Sequence, residues 1–405
     1  ADNAGVINFG ETPFRFTPPE GFVALNTSTI IPESTPVIRP TDYYMTAYYT
    51  GNGDSSGGKQ VTTSFKPDLI WNKNATTGYH NRLWDSVRGW SKAIYSNNEE
   101  NENNWTDYGY PVEVTDTYVK VGQGSNSGNL VNLSGQNYAM WMWKAGGGSG
   151  AGGEFWKDDI KYANAAAVGL SGATITPTAA SIGTKQGFSI IKYTGNGTSG
   201  ATIPHGLSEA PTFIMTKILN PGSTPSVGWG VYHVEGSYNN NMLYLMQGTS
   251  QASDTNVYTA TPSSTTFTIG DWAGINQNGT NYIAYCWHDV PGFQKFGRYQ
   301  GNGSNDGPYV DLGFKPAMCI WKNTTGNHWG TLDTARDIIN PMQHRLHPNL
   351  GNTTNSGAGA VIDFMANGFK CINQDSLENG NTTMLYMAWA DSPNATPYGG
   401  SSLGR

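Results

Sequence analysis

Apolar and polar positions alternate with a period of two along most of this chain, and Gly, Asn and Pro interrupt the pattern. Phe188, Ile190 and Lys192 alternate with Ser189, Ile191 and Tyr193, and Gly195-Asn196-Gly197 follows. Side chains two apart share one face of a strand, so the run predicts a β-strand closed by a tight turn. The run Tyr282-Ile283-Ala284-Tyr285-Cys286-Trp287 is apolar on both faces. Tyr282, Ala284 and Cys286 point one way, and Ile283, Tyr285 and Trp287 the other. Such a strand is central in its sheet and carries a second layer. The run from Pro211 to Met215 predicts a strand with Pro at its start, where the missing N–H costs least.

These elements recur three times in one order. Tyr49-Thr50-Gly51-Asn52-Gly53 returns as Tyr193 to Gly197 and as Tyr299 to Gly303. Phe65-Lys66-Pro67-Asp68-Leu69-Ile70-Trp71 returns as Ala210 to Met215 and as Phe314 to Trp321. Tyr138 to Trp143 returns as Tyr282 to Trp287 and as Leu385 to Trp389. The Gly-to-Pro spacing is 16, 16 and 15 residues, and the Pro-to-Trp spacing 76, 76 and 73. Each unit spans about 100 residues, enough to bury a core, so the repeats are domains and not solenoid turns. The division is 1–41 (an N-terminal strand and Pro-rich linker), 42–144 (repeat one), 145–185 (a Gly-rich insert), 186–290 (repeat two) and 291–405 (repeat three and tail). Within the insert, Gly146 to Gly153 is too flexible for a core strand, and Phe155 to Ala167 predicts one or two helical turns. Repeats two and three abut through Val290-Pro291-Gly292-Phe293 and are expected to pack together. The fold class is all-β, three tandem β-sandwich-like domains with little helix.

Composition narrows the function classes. Only 13% of the 405 residues are charged, 12% are aromatic, and 52 are Gly. Disordered chains have few aromatics and high net charge, so this is a folded profile. A formal net charge of -7 without a Lys/Arg run argues against nucleic-acid binding. No stretch of eighteen apolar residues predicts a membrane span. The N-terminus, Ala1-Asp2-Asn3-Ala4-Gly5, has neither basic nor apolar signal character. Cys286, Cys319 and Cys371 lie in apolar runs and are expected as buried small hydrophobes.

The candidate chemistry is sparse. Gly-Asn-Gly lacks the following helix that phosphate loops need, so it is expected as a turn. Asp85-Ser86-Val87-Arg88 matches Asp333-Thr334-Ala335-Arg336, while repeat two has His233-Val234-Glu235-Gly236. The structural expectation is an Asp that caps a turn and pairs with its Arg. His344 and His347 are spaced for one helical face, but Pro341 and Pro348 bracket them and no third ligand follows, so no metal is expected. Asn302 to Gly307 lacks the Glu of a calcium loop. A carboxylate pair for glycoside hydrolysis is a matter of spatial spacing, which leaves a polysaccharide depolymerase as an alternative. None of the charged groups weighed is kept in all three copies. The binding candidates are aromatics in Gly/Asn-rich loops: Trp105, Tyr108 and Tyr110 in repeat one, and Trp272 in repeat two. Flat rings stack on sugar faces and also anchor protein interfaces.

The repeated phrases resemble the tandem β domains of tail-fibre-like virion proteins from marine and cyanobacterial phages. Tyr49 to Gly53, Phe65 to Trp71, Arg82 to Gly89, Tyr138 to Gly147 and Gly292 to Tyr299 carry the likeness. Asn8-Phe9-Gly10 with Phe16 to Phe22 is similar to the closing strand of a concanavalin-like SPRY domain. The resemblance implies a non-enzymatic virion protein on the extracellular phage particle, a tail fibre or tail-associated adhesin without a cofactor. It implies other virion proteins as partners, a homo-oligomer (a trimer by analogy with fibres), and host surface polysaccharide as a ligand. A capsid or tail decoration protein is the structural alternative.

Overall fold

The computed structural model describes residues 38–104, 106–126, 131–220, 228–236, 241–250, 252–253, 256–354 and 361–393. Repeat one contains β1 (Tyr44–Thr50), β2 (Lys59–Thr62), β3 (Leu69–Asn74), β4 (Arg82–Asp85), β5 (Ile94–Tyr95), β6 (Tyr110–Val114), β7 (Tyr118–Gly122) and β8 (Asn137–Trp143). The insert adds β9 (Phe155–Lys157), β10 (Ile160–Tyr162) and β11 (Ala179–Gly183). Repeat two contains β12 (Phe188–Thr194), β13 (Ala201–Pro204), β14 (Phe213–Ile218), β15 (Trp229–His233), β16 (Asn241–Tyr244), β17 (Ala252–Ser253), β18 (Tyr258–Ala260), β19 (Thr266–Ile269) and β20 (Asn281–Trp287). Repeat three contains β21 (Gln294–Gln300), β22 (Tyr309–Asp311), β23 (Phe314–Asn323), β24 (Gly330–Asp333), β25 (Ile362–Met365), β26 (Gly368–Cys371) and β27 (Thr383–Pro393). Apart from short 3-10 turns, the described helices are the single turns Ala273–Asn276 and Ser376–Asn379.

The three repeats share one topology. The larger sheets run β1-β8-β3-β4-β5, β12-β20-β14-β15-β16-β17 and β21-β27-β23-β24. In each, the closing strand inserts between the first and third strands of its repeat. The smaller sheets are β2-β7-β6, β13-β19-β18 and β22-β26-β25. Each repeat is thus a two-layer β-sandwich. Its own apolar core lies between the layers, with Tyr138, Met140 and Met142 in repeat one, Tyr282, Ala284 and Cys286 in repeat two, and Met384, Tyr386 and Ala388 in repeat three.

The opposite faces of the larger sheets meet in a further core common to all three repeats. Trp141 and Trp143, Tyr285 and Trp287, and Met387 and Trp389 all belong to it. At its centre Trp143, Trp287 and Trp389 pack edge to face, with ring centroids 6.2, 5.4 and 6.1 Å apart and planes at 66°, 73° and 71°. The aromatic quadrupole favours this tilted arrangement over face-to-face stacking. The doubly apolar closing runs thus serve two cores at once, one face toward the sandwich and one toward the shared centre.

The insert differs from its expectation. Phe155 to Ala167 opens with the β9–β10 hairpin and not a helix. Asp158 and Asp159 take φ of 50° and 66°, the left-handed pair that a two-residue hairpin turn requires and that Asp tolerates. β9 pairs in parallel with β11, and β11 pairs antiparallel with β12, so the insert extends the repeat-two sheet. The expected N-terminal strand and linker, apart from residues 38–41, lie outside the described residues.

Candidate functional site

The three Gly-Asn-Gly turns position the loops around them. The Asn132 side chain accepts from the Asn52 N–H at 3.0 Å and donates to Asn52 Oδ1 at 2.8 Å. Asn276 holds Asn196 N–H at 2.9 Å, and Asn379 holds Asn302 N–H at 2.9 Å. The motif Tyr pins the same clasp: Tyr49 donates to Val131 O and Tyr193 to Ile275 O, both at 2.7 Å, and Tyr299 donates to Glu378 O. A Cβ on Gly195 would lie 2.5 Å from Gln277 O, so the clasp requires Gly there. These turns are structural, as the sequence suggested.

The Asp-x-x-Arg pairs are also structural, and they join repeats. Asp85 Oδ2 accepts from Arg88 Nε at 2.5 Å and from the Tyr285 hydroxyl of repeat two at 2.6 Å. Asp333 Oδ2 accepts from Arg336 Nε at 2.6 Å and from Trp141 Nε1 of repeat one at 3.0 Å. His233 occupies the same register position in repeat two, opposite Phe213, as Asp85 opposite Leu69 and Asp333 opposite Met318. Its Nε2 meets Tyr386 O of repeat three at 3.2 Å. Met387 stands in its closing strand where Tyr285 and Trp141 stand in theirs, two residues before the final Trp, and has no N–H or O–H to offer, so an imidazole aimed at a backbone carbonyl replaces the carboxylate.

Four residues earlier a second contact closes each seam. Trp229 Nε1 donates to Tyr95 O at 2.8 Å, and Trp329 Nε1 to Tyr244 O at 3.1 Å. Asn81 Nδ2 donates to Leu350 O at 2.9 Å. Repeat one is thereby tied to two, two to three, and three to one, giving a closed ring within one chain.

One cation outside the groups weighed from the sequence recurs in all three copies. Lys73, Lys217 and Lys322 each lie six residues after the motif Pro and are buried. Lys73 Nζ donates to Gly351 O of repeat three at 3.0 Å, and Lys217 Nζ to Asn98 O of repeat one at 3.1 Å. Lys322 Nζ donates to Asn323, Gly326 and Asn327 carbonyls at 2.7, 2.8 and 2.9 Å. Burial pulls Lys73 down to about 7, and Lys217 and Lys322 to about 8. The constant Pro-to-Lys spacing was the signal that would have found them.

The binding candidates separate. Trp105 lies outside the described residues. Tyr108 sits in the 3-10 turn Thr106–Tyr108, anchored from below by Arg82. Arg82 Nη1 donates to Tyr108 O at 2.8 Å, and its guanidinium lies 5.6 Å from the Tyr108 ring centre. Tyr110 begins β6 and lines an open cleft of about 620 Å³ with Ser55, Thr106, Asp107, Gln123 and Ser125. Gln123 Oε1 is buried without a hydrogen-bond partner among the described residues. Trp272 belongs to the repeat-two sandwich, where it is half-buried and packs edge to face on Tyr244 at 5.9 Å. The structure thus gathers Tyr108 and Tyr110 on one loop cluster and uses Trp272 to cover the repeat-two core.

The remaining candidates resolve into local contacts. His344 Nδ1 pairs with Asp337, and His347 Nδ1 meets Trp329 O at 2.8 Å, so the two imidazoles face different partners. Among the described residues no three His, Cys, Asp or Glu side chains cluster for a metal. Asn302 Nδ2 donates to Asp306 O at 2.9 Å across its loop, and Asp306 pairs with Lys370 at 2.7 Å. The three cysteines are free and buried, as expected.

The fold defines an all-β protein of three fused sandwiches closed around an aromatic centre, with an open polar cleft on repeat one that holds Tyr110. Over residues 39–393 the chain matches the protein family described as a domain of unknown function (DUF7483), and it belongs to that family. No curated protein and no solved structure matches it. Among the described residues no helix is long and apolar enough to cross a membrane.

Proposed function

We propose that the chain is a non-enzymatic structural component of a phage virion, a tail fibre or tail-associated adhesin. One observation carries the non-enzymatic half: the Asp-x-x-Arg pairs, the strongest candidates for acid–base chemistry, hold neighbouring repeats together. Their oxygens are buried against Tyr285 and Trp141 and have no access to substrate. The virion half rests on the repeated phrases and their resemblance. Recognition falls to loops that differ between repeats, and the repeat-one cleft offers the combination a sugar requires. Tyr110 supplies a ring face, Ser55, Thr106 and Ser125 supply hydroxyls, and Asp107 and Gln123 supply acceptors. Its volume falls within the usual few hundred to a thousand Å³ of ligand pockets. Host surface polysaccharide is the proposed ligand, other virion proteins are the proposed partners, and a homotrimer remains the favoured assembly by fibre analogy.

The internal pseudo-threefold favours a second reading, decoration of a capsid or tail, because one copy then suits a threefold position. Imaging of labelled particles separates the two. Signal at tail tips supports the adhesin, and signal on capsid faces overturns it. A glycan array adds the ligand: Tyr110→Ala is expected to lose about tenfold in affinity, as one stacked ring is worth roughly 1–2 kcal/mol. Wild-type binding by that variant overturns the cleft assignment. Degradation of host polysaccharide by the purified chain, lost on a single Asp or Glu substitution, overturns the non-enzymatic reading.

A further inference from the structure

The first strands of the three repeats, β1, β12 and β21, occupy equivalent places but differ at their outer edges. Tyr44, Phe188 and Gln294 each pair with the final Trp of a closing strand, so Thr46, Ile190 and Phe296, two residues on, are equivalent positions. In repeat two the edge is paired: β11 runs antiparallel along β12 with Ser181 opposite Ile190. In repeat three it is capped. Phe296 N–H on β21 donates to Asp289 Oδ1 at 3.0 Å, and the same oxygen accepts from Thr212 Oγ1 at 3.0 Å. In repeat one the described residues bring no partner to the Thr46 N–H, and β1 stays half-exposed from Met45 to Ala47. An edge with unpaired N–H and C=O groups is a template for another strand.

The open edge borders a groove of about 460 Å³ between repeats three and one. Apart from Tyr44, Met45 and Asp391, every side chain that lines it is that of Ala, Ser or Thr. Asp391, the one charged group, is paired with Lys315 at 3.6 Å. Among the lining residues Thr63 is only 5% exposed, and its hydroxyl has no hydrogen-bond partner among the described residues. Repeats two and three carry Leu207 and Leu312 at the same place, four residues before the motif Pro, each buried in its own core. An unpaired buried hydroxyl is costly, and this one belongs to the wall of a cavity that can admit a partner for it.

The equivalent seam between repeats one and two holds a polypeptide segment in this space. Asp68, at the position of Ala317, accepts from Ala145 and Gly147 N–H at 2.8 and 3.0 Å. Gly146 N–H in turn donates to Ser181 Oγ of β11 at 2.9 Å. The occupant there is extended backbone with small side chains: β11 reads Ala179-Ala180-Ser181-Ile182-Gly183 and is buried throughout. We propose that the groove between repeats three and one is a docking site for another protein, which adds an extended segment rich in Ala, Ser and Gly to the open edge of β1. The described strands of this chain are all committed to sheets of their own, so the segment comes from a different protein. Main-chain hydrogen bonds along β1 supply affinity, and the small uncharged walls supply selectivity. A hydroxyl or backbone group of the segment pairs with Thr63. This proposal is independent of the virion reading.

Hydrogen exchange on the full chain tests it, with a synthetic peptide of the β11 sequence, Thr178 to Thr184, as probe. In the free chain the Thr46 amide is expected to exchange at least about tenfold faster than the paired Ile190 amide. Peptide at about 1 mM is expected to slow Thr46 about tenfold and to leave Ile190 unchanged. Thr63→Leu fills the groove with the side chain that repeats two and three carry. It is expected to abolish the slowing, while exchange in β8, β20 and β27 stays that of the wild type and shows that the variant is folded. Unaltered Thr46 exchange at the highest soluble peptide concentration overturns the proposal. Slow Thr46 exchange in the dilute free chain would assign the edge to a segment of this chain, and protection that grows with protein concentration would assign it to a second copy. Either result overturns the proposal equally.

Discussion

Asp85 shows how much of this molecule depends on single buried charges. It neutralises Arg88 and accepts a hydrogen bond from Tyr285, with both charged side chains fully buried. Asp85→Ala leaves the buried guanidinium with Glu102, 3.9 Å away, as its remaining carboxylate and is expected to destabilise by about 3–5 kcal/mol in chemical denaturation. Tyr285→Phe removes the hydroxyl that donates to Asp85 and accepts from Arg88 but leaves the ion pair, and is expected to cost about 1–2 kcal/mol. A larger loss for the phenol than for the carboxylate would contradict this ranking. The buried lysines give a pH signature. An unfolded lysine keeps its proton to about 10.4, but the folded Lys217 and Lys322 release theirs near 8. The unfolded state therefore binds more protons between about 8 and 10, and stability rises with pH across that window. Lys217→Met is expected to flatten the rise, measured as denaturation midpoints at pH 8 and 9.5 and constant ionic strength. An unaltered slope would mean that Lys217 carries its charge at no penalty.

At the scale of elements, the closing strands were legible in the sequence because their requirement is local. Apolar residues on both faces can only mean cover on both sides, and Tyr282 to Trp287 has it. The Gly-Asn-Gly turns were legible too, but not their clasps, since the partner Asn lies 80 residues away in repeats one and two and 77 in repeat three. The hairpin in the Phe155 to Ala167 segment is not legible because Asp158-Asp159 carries no Gly to announce the turn. Of the candidate site, Tyr108 and Tyr110 were found by their loop composition. The groups that complete the cleft, Ser55 and Gln123, come from other connections and only the fold unites them. The clasp yields its own prediction. Gly195→Ala forces a Cβ against the Gln277 carbonyl and is expected to destabilise by about 1–3 kcal/mol, seen as a lower thermal midpoint. Gly200→Ala is a useful comparison, because nothing lies within 4 Å of its Cβ position and only its φ of +83° is strained.

At the scale of the whole molecule, the repeats form a unit of a different kind from beads on a string. Each has its sandwich core, yet the face that would be solvent in an isolated domain is buried in the shared centre. That centre contains Trp143, Trp287 and Trp389, one from each repeat, so a defect there reaches all three. Trp287→Ala is expected to cost about 3–5 kcal/mol and to lower the stability of every repeat together. Trp272→Ala, which uncovers only the repeat-two core, is expected to increase exchange in β18 and β19 and leave repeats one and three unchanged. Closure also bears on recognition. With the charged pairs, Lys73 and Lys217 committed to the seams, variation is confined to the loops outside the ring, where the repeat-one cleft lies.

Calorimetric unfolding of the full chain tests the closed ring most directly. A single cooperative unit gives a calorimetric enthalpy equal to the van't Hoff enthalpy. The ring predicts one transition with a ratio near one, shifted as a whole by Trp287→Ala. Two or three separate transitions, with Trp287→Ala moving only one of them, would contradict it.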